Sequence, residues 1–520
     1  MNTRRAQRRW KRILQPGRNC WTVEPVERAG LLIDGRDYYR AFYRAAKNAR
    51  AYICIAGWQF DSEVPLLAGN DRKQSHGEVR FLPFLQALCE GNPNLRVYIL
   101  AWDFSFIFTL KREFLQDWLF NWTTCERIQF RFDDSVPIGA SHHQKFAVID
   151  GRIAFVGGMD ICACRWDDRK HQPDSPFRVD SEGRPYNLHH DIQAYLAGPA
   201  ATRLARLFQT RWRSSGGGEL SFPPSASQGA KIRPSVVISS HSVALSQTQP
   251  KTLVPLQDSI EEIRSLHLDA IRAAEQLIYI ENQYFSSLAI YNALMERMQA
   301  TRRSKLQIIM ILPKERGGLL EELSMGIAQG NLLNSLKEIA RQTGHHLGIY
   351  YTVRPTANGK EIPVNIHGKL LLVDDRFLTV GSANTNNRSM GLDTELNVAW
   401  EATSPRQRSL IRSIRRARTS LLIEHSGAKG YLDRFRSRGA RRLVRHLDRV
   451  ASNSRYNLRT HDLATFFDQT DWLKRLKPGH LLIDPEKPVL GEDAWELISR
   501  EPNSLFAMGI TWLNKMLLHH

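Results

Sequence analysis

The sequence lacks any run of about 18 consecutive apolar residues, the length that a membrane-spanning helix requires. Its longest apolar stretches, such as LQIIMILP at 306–313, have the length of strands. The N-terminal stretch MNTRRAQRRWKRILQPGR carries seven basic residues and no acidic one, without the apolar core of a signal peptide. We therefore expect neither a transmembrane helix nor a cleaved leader.

Cysteine is also scarce, with six residues in 520, all in the first third of the chain: Cys20, Cys54, Cys89, Cys125, Cys162 and Cys164. They show no disulfide framework, and the C-x-C at 162–164 has no second pair at zinc spacing. We expect a reduced, cytoplasmic setting and no bound metal. Peripheral membrane attachment or export without a cleavable signal are the alternatives.

Acidic residues are outnumbered, with 53 Asp and Glu against 72 Lys and Arg, for a formal charge of +19. This excess indicates a partner that carries phosphates, such as nucleic acid, an anionic membrane surface or a phosphorylated substrate. An apolar content of 42% argues against disorder. A length of 520 residues exceeds one comfortable core and predicts two domains or two fused halves.

One pattern in the sequence occurs twice. The first copy is HQKFAVIDGRIAFVGGMD, from His143 to Asp160, and the second is HGKLLLVDDRFLTVGSAN, from His367 to Asn384. The two copies align without a gap. Both copies predict a buried strand, a tight turn, a second strand and a turn of small residues. Gln59 and Gln283 precede these histidines by equal intervals, each at the end of an earlier strand that follows a helical stretch. The repeat predicts two fused, pseudo-symmetric α/β halves, each a mixed sheet flanked by helices.

Composition also divides the chain. Between the two copies, RSSGGGELSFPPSASQGAKIRPS is rich in Gly, Ser and Pro, which is typical of a linker. After about residue 405 the repeat ends, and RQRSLIRSIRRARTSLLIEH predicts a basic amphipathic helix. We expect a basic tail at 1–25, a first half at 26–213, a linker at 214–250, a second half at 251–425 and a C-terminal extension at 426–520.

Histidine and lysine in two matched copies indicate chemistry on a phosphate. A pseudo-twofold axis would place His143 and Lys145 opposite His367 and Lys369 across one cleft. Two ammonium groups neutralise non-bridging oxygens, and a neutral imidazole can attack phosphorus. A second, protonated imidazole can give its proton to the departing alcohol. Because two adjacent imidazoles resist both being charged, we expect a bell-shaped pH profile and no metal requirement.

Both copies resemble the H-x-K-x-x-x-x-D motif of the phospholipase D superfamily. GGMDICACRWDD is similar to the extension that follows the first motif in the eukaryotic-type enzymes, and GSANTNNRSMGLDTELN is similar to the extension of the second. The resemblance covers roughly residues 28 to 425. It implies the phospholipase D fold, with the active site at the interface of the two halves, and a two-step reaction through a phosphohistidine.

The resemblance also implies roles for individual residues. His143 would be the nucleophile, and His367 the general acid that later activates water or an alcohol. Lys145 and Lys369 would hold the phosphate. The small-residue turns that follow would also face the phosphate, through Gly158, Ser382 and Asn384.

Four acids complete the expected site. The resemblance implies a structural role for the motif acids Asp150 and Asp374, which would hold their turns together. Glu395 follows His367 at the interval where the family places an acid that orients that histidine. Asp191, in HHDIQAYLAGPA, is the candidate for orienting His143. The flanking His142, His189 and His190 have no firm role.

The sequence is compatible with three functions. The first is a phospholipase D that acts on phosphatidylcholine or a similar lipid, the second a cardiolipin synthase-type phosphatidyltransferase, and the third a nuclease, which the positive charge favours. The polar insertion RKHQPDSPFRVDSEGRPYN and the C-terminal extension favour lipid. Simple nucleases of the family carry one motif per chain and dimerise, unlike this chain. We expect a monomer with a phospholipid substrate, peripheral contact with an anionic membrane surface, no nucleic acid partner and no cofactor.

Overall fold

The structure is a computed structural model that describes residues 10–102, 124–137, 139–223, 229–253, 256–314, 319–431, 442–463 and 484–487. The first nine residues and most of the predicted C-terminal extension lie outside these ranges. No helix within them is long and apolar enough to cross a bilayer.

The N-terminal half contains ten strands among the described residues. They are β1 (Thr22–Pro25), β2 (Arg28–Ile33), β3 (Tyr52–Gly57), β4 (Arg96–Trp102), β5 (Ile128–Asp133), β6 (Phe146–Ile149), β7 (Ile153–Gly157), β8 (His189–His190), β9 (Ile192–Ala197) and β10 (Val236–Ile238). The helices of this half are α1 (Asp34–Lys47), α2 (Gly69–Lys73), α3 (Phe81–Gly91) and α4 (Pro199–Ser214).

The remaining described strands follow from residue 242 onward. They are β11 (Ser242–Gln249), β12 (Thr252–Leu253), β13 (Leu256–Gln257), β14 (Ile260–Glu261), β15 (Leu277–Glu281), β16 (Gln307–Ile311), β17 (His346–Pro355), β18 (Glu361–Pro363), β19 (Asn365–Ile366), β20 (Leu370–Val373), β21 (Phe377–Gly381), β22 (Glu395–Glu401) and β23 (Leu458–Thr460). The helices are α5 (Glu262–Ala273), α6 (Leu288–Gln299), α7 (Leu319–Thr343), α8 (Asn387–Gly391), α9 (Arg408–Ser426) and α10 (Leu443–Ala451).

Each half is built on a mixed sheet, and the two sheets share one topology. The first contains the order β2-β9-β7-β6-β3-β4-β5, and the second contains β11-β22-β21-β20-β15-β16-β17. In both, the last three strands run parallel and the others pair antiparallel. The repeat in the sequence is therefore a repeat in strand order and direction, and the predicted α/β fold class is confirmed.

The two sheets face each other through a common core. Val148 and Val156 of the first sheet belong to the same buried cluster as Leu372 and Val380 of the second. On their outer faces, α1 and α3 cover the first sheet, and α5, α6 and α7 cover the second. Because both faces of each sheet are covered, the central strands are almost continuously apolar. This arrangement brings the two copies of the motif to the same interface.

The hairpin that follows each H-x-K sequence explains the motif aspartates. β6–β7 turns through Asp150 and Gly151, and β20–β21 turns through Asp374 and Asp375, all with positive φ angles between 52° and 62°. The Asp150 carboxylate accepts three backbone N–H groups, from residues 50 to 52, at 2.8–2.9 Å. The Asp374 carboxylate accepts the equivalent three, from residues 275 to 277, at 2.7–2.9 Å. Each acid thus ties its hairpin to the start of the neighbouring strand.

The predicted boundaries need correction at both ends of the first half. The predicted linker at 214–250 contains β10, which pairs with β2 in the first sheet, and β11, which pairs with β22 in the second. The predicted tail at 1–25 contains β1, which pairs with β11. β1 and β10 have only four and three residues, and β11 reads SVALSQTQ, so their weak apolar alternation produced no strand signal beside Gly- and Ser-rich sequence.

Candidate active site

Each H-x-K sequence pairs with the other half before it enters its own hairpin. The N–H of His143 donates to the carbonyl oxygen of Thr394 at 3.0 Å, and the N–H of His367 donates to that of His190 at 2.8 Å. Both contacts lie in short stretches of parallel strand pairing. β19 pairs with β8 next to the His367 contact, and His142 pairs with Thr394 next to the His143 contact. Both acceptor residues immediately precede an acid. The pseudo-twofold relation therefore presents each histidine to the acid of the opposite copy.

The two orienting carboxylates are exchanged between the halves. His367 donates its Nδ1–H to Asp191 Oδ2 at 2.6 Å, and Nδ1 of His143 lies 3.0 Å from both oxygens of Glu395. The expected pairing of Glu395 with His367 and of Asp191 with His143 is therefore wrong. Glu395 is the first residue of β22 and Asp191 immediately precedes β9, and each faces the other half there. Both carboxylates hold the Nδ1–H tautomer and leave Nε2 free for chemistry.

The two carboxylates have different surroundings. Glu395 accepts hydroxyl groups from Ser389 at 2.6 Å and from Ser382 at 2.5 Å, in addition to His143. Ser382 was expected to face the phosphate, but its hydroxyl donates a hydrogen bond to Glu395 instead. Asp191 accepts only the N–H of Ile192, at 2.7 Å, besides its histidine among the described residues. Burial raises the pKa of Asp191 to about 6.

The two lysines also have different partners at matched positions. Nζ of Lys145 lies 3.2 Å from Asp160 Oδ2 and 5.9 Å from the centre of the Trp58 ring. Lys369 donates to Gln283 Oε1 at 3.1 Å and to the carbonyl oxygen of its own motif histidine at 2.6 Å. In the second copy Asn384 replaces Asp160, and its buried Oδ1 has no hydrogen-bond partner in the described part of the chain.

Charges from both copies act on one another. Burial, followed by the Lys369 ammonium, holds the pKa of His367 well below its usual range, and Lys145 of the other half adds to this effect. Burial also lowers the pKa of Lys369 to about 7, where Asp191 opposes the shift and Lys145 adds to it. The two H-x-K pairs therefore form one electrostatic site.

Gly158 lies where the two copies meet. A Cβ atom at this position would lie 2.7 Å from Asp191 Oδ1 and 2.9 Å from Lys369 Cδ. Any other residue at this turn would push the second-half lysine and the acid of the first half apart, so the close approach requires glycine.

The sequence assigned no role to the flanking histidines, and two of them pack against residues of the site. Nε2 of His142 lies 3.0 Å from Asp133, and its Nδ1 lies 3.1 Å from the Thr394 hydroxyl. The His189 ring lies 5.3 Å from the His367 ring, centre to centre. His142 thus connects the two halves, while His189 packs beside one of the motif imidazoles.

A second group of ionisable side chains lies behind His190 and offers donor atoms for a cation. Four buried residues place donor atoms within 4.8 Å of one another: Asp34, His171, His190 and Glu424. Asp167 accepts from His171 Nδ1 at 3.0 Å and Glu281 accepts from His190 Nε2 at 3.1 Å, which turns the other ring nitrogens toward the carboxylates. Such carboxylate backing is typical of metal-binding imidazoles. Protonation of the histidines can balance the charges of these carboxylates in place of a cation. Burial lowers the pKa of His171, but the neighbouring carboxylates outweigh this effect and raise it to about 9.

Two models of known protein families match this chain. Residues 45–302 match a family model described as phospholipase D, and residues 267–417 match one described as cardiolipin synthase, PLD-like domain. The chain belongs to the phospholipase D superfamily. This phospholipase D family chain is a phosphodiesterase, so the predicted family and enzyme class are confirmed.

Individual relatives extend the similarity over most of the chain. Phospholipase D alpha 1 of Nicotiana tabacum is 24% identical, over 90% of this chain and 73% of its own length. Phospholipase D A of Dictyostelium discoideum is 26% identical, over 69% of this chain and 32% of its own. Among solved structures, phosphatidylserine synthase of Haemophilus influenzae is 12% identical, covers 78% of this chain and 88% of its own, and has a TM-score of 0.49.

Proposed function

We propose that the enzyme hydrolyses glycerophospholipids such as phosphatidylcholine to phosphatidic acid and free head group, with transfer of the phosphatidyl group to alcohols as a side reaction. The observation that carries the proposal is the crossed pair of imidazole–carboxylate contacts beside two lysines. Similarity to phospholipases D over about nine-tenths of the chain supports the choice of lipid as substrate.

The first step forms a bond between Nε2 of His143 and the phosphorus atom. The bond from phosphorus to the head-group oxygen breaks, and His367 gives its proton to that oxygen, so the free head-group alcohol leaves. Glu395 stabilises the charge that develops on the His143 ring. The low pKa of His367 in the free enzyme means that it takes up its proton when the anionic phosphate offsets the charge of Lys369.

The second step releases the phosphatidyl group. His367, now neutral, takes a proton from water, and the water oxygen attacks phosphorus while the phosphorus–nitrogen bond to His143 breaks. An alcohol in place of water gives a phosphatidyl alcohol by the same route. Lys145 and Lys369 stabilise the negative charge on the non-bridging oxygens in both steps.

A direct test incubates the protein with phosphatidylcholine vesicles with and without ethanol, and with plasmid DNA as a parallel substrate, in the presence of a chelator. We expect choline and phosphatidic acid without ethanol, and phosphatidylethanol with it. Nicked DNA beside intact lipid would reject the proposal in favour of a nuclease.

Phosphatidyl transfer of the cardiolipin synthase kind is the second candidate. The match of residues 267–417 to a family model of that description favours it. Vesicles that contain phosphatidylglycerol distinguish the two, because the second candidate yields cardiolipin and glycerol, while the first yields phosphatidic acid and glycerol.

A further inference from the structure

A short part of the C-terminal extension, residues 484–487, contacts the second half of the enzyme. Asp484 is 1% exposed and accepts three hydrogen bonds. The donors are the Ser286 hydroxyl at 2.7 Å, the N–H of Asn387 at 3.0 Å and the N–H of Arg388 at 2.8 Å. Two residues on, the Glu486 carboxylate lies 3.0 Å from Arg264 Nε at the surface.

The turn that Asp484 holds connects Asn384 to Glu395. Within this turn, the Ser389 hydroxyl accepts the N–H of Asn384 at 3.1 Å and donates to Glu395 at 2.6 Å. The N–H of Ser389 in turn donates to the Asn386 side chain at 3.0 Å. The backbone of this turn therefore fixes the hydroxyl that orients the Glu395 carboxylate.

The same turn reaches the first half through the side chain of Arg388. Its guanidinium donates to both oxygens of Asp393, at 2.7 and 3.0 Å, and to the Gly139 carbonyl oxygen at 2.7 Å. Asp393 accepts the N–H of Ser141 at 2.8 Å, two residues before His143. Hydrogen bonds, together with the short backbone segments between them, thus connect Asp484 to both members of the His143–Glu395 pair.

Among the described residues, no carboxylate of the extension takes the equivalent place in the first half. Its matched interval, from Asp160 to Asp191, is much longer than the interval from Asn384 to Glu395. The longer interval contributes its own buried polar contacts, for example those of Asp167 to His171 and Arg178. The shorter turn receives its buried carboxylate from residue 484, outside both repeats.

We propose that Asp484 is a positioning residue for catalysis, which holds Glu395 and His143 in the geometry needed for attack on phosphorus. The inference rests on the proposed function only for the order of roles, in which His143 attacks. Its consequence is that the C-terminal extension completes the active site.

The test compares Asp484→Ala with Glu486→Gln, which keeps the size of the side chain that packs beside Gly391 and removes only the charge that faces Arg264. Both are assayed as the full-length chain on bis(p-nitrophenyl) phosphate and on phosphatidylcholine. The first substrate needs no lipid interface, and its leaving group needs no general acid. We expect Asp484→Ala to lose on the order of tenfold to a hundredfold in kcat on both substrates, with KM little changed. Glu486→Gln should match the wild type.

Two results would overturn the inference. One is an Asp484→Ala kcat equal to that of Glu486→Gln, and the other is a loss confined to phosphatidylcholine, which would place the defect at His367. Ser286→Ala removes one of the three hydrogen bonds and covers the case in which Asp484→Ala does not fold. It should remain folded at the assay temperature and show a smaller loss of kcat, and a kcat equal to that of the wild type would count against the inference. Wild-type turnover of the phosphate diester without release of choline would reject the proposed lipid function alone.

Discussion

His143 and His367 occupy matched positions but differ in what holds them. The first faces a carboxylate that also accepts two serine hydroxyls, and the second faces a carboxylate that accepts one backbone N–H. His367 is also the more buried ring, with a side chain 11% exposed against 17% for His143. These differences are consistent with the distinct tasks that we propose for the two imidazoles.

The assignment of those tasks predicts opposite behaviour for two variants on a lipid with an activated head group. With phosphatidyl-p-nitrophenol, departure of nitrophenolate needs no proton, so His367→Asn should release one equivalent per site in a burst and then stop. His143→Asn should show no burst, because no phosphorus–nitrogen bond forms. Stopped-flow absorbance measures both. A burst in His143→Asn and none in His367→Asn would reverse the roles.

The pKa shifts of the same site predict a narrow pH optimum. As pH falls through about 6, Asp191 gains a proton and no longer holds the Nδ1–H tautomer of His367. As pH rises through about 7, Lys369 loses the charge that neutralises phosphate. The value of kcat/KM should therefore be highest between these limits and fall on both sides. Lys369→Arg cannot lose its charge and should lack the alkaline decline, and a wild-type profile that stays level from pH 7 to 9 would contradict the prediction.

At the scale of single elements, the hairpins depend on their motif aspartates. Asp150→Ala should lower the free energy of unfolding by about 1–3 kcal/mol, because it removes the acceptor of three backbone N–H groups at a residue with positive φ. Asp150→Asn keeps an acceptor oxygen and tolerates the left-handed backbone, so its loss should be smaller. Urea denaturation followed by circular dichroism measures both, and equal losses would argue against this account.

The sequence predicted the elements that repeat and missed those that do not. Two copies of one motif predicted two sheets, because the apolar pattern of β6–β7 recurs in β20–β21. The exchange of Asp191 and Glu395 escaped prediction, since an interval along the chain does not say on which side of an interface an acid lies. Asp484 gave no signal either, because its donors come from distant parts of the chain, in the loop before α6 and in α8.

At the scale of the whole molecule, one chain contains one complete site. His143 takes its carboxylate from the second half and His367 from the first, within the same chain. A mixture of His143→Asn and His367→Asn proteins should therefore remain inactive on phosphatidylcholine, whatever the ratio. Release of choline by the mixture above that of either variant alone would show that chains exchange halves and would contradict the prediction of a monomer.

The buried cluster behind the site links the two halves, and its loss should lower their stability. Glu424 contacts Arg169 at 2.5 Å and His190 at 2.8 Å, both from the first half. Glu424→Gln leaves these cations without their carboxylate and should lower the free energy of unfolding by about 3–5 kcal/mol. Glu338→Gln, at an exposed pair with Arg341, serves as the control and should leave the thermal midpoint in place. Equal midpoints for the two variants would rule out a stabilising role for the cluster.

The exchange of acids has a consequence for how the two repeats can diverge. A substitution in one repeat that displaces its carboxylate also leaves the imidazole of the other repeat without its partner. In the proposed reaction, such a substitution in either repeat would impair both steps. Neither repeat can therefore lose its active-site residues while the other repeat remains active on its own. We therefore expect the residues of each repeat that face the other repeat to change together during evolution.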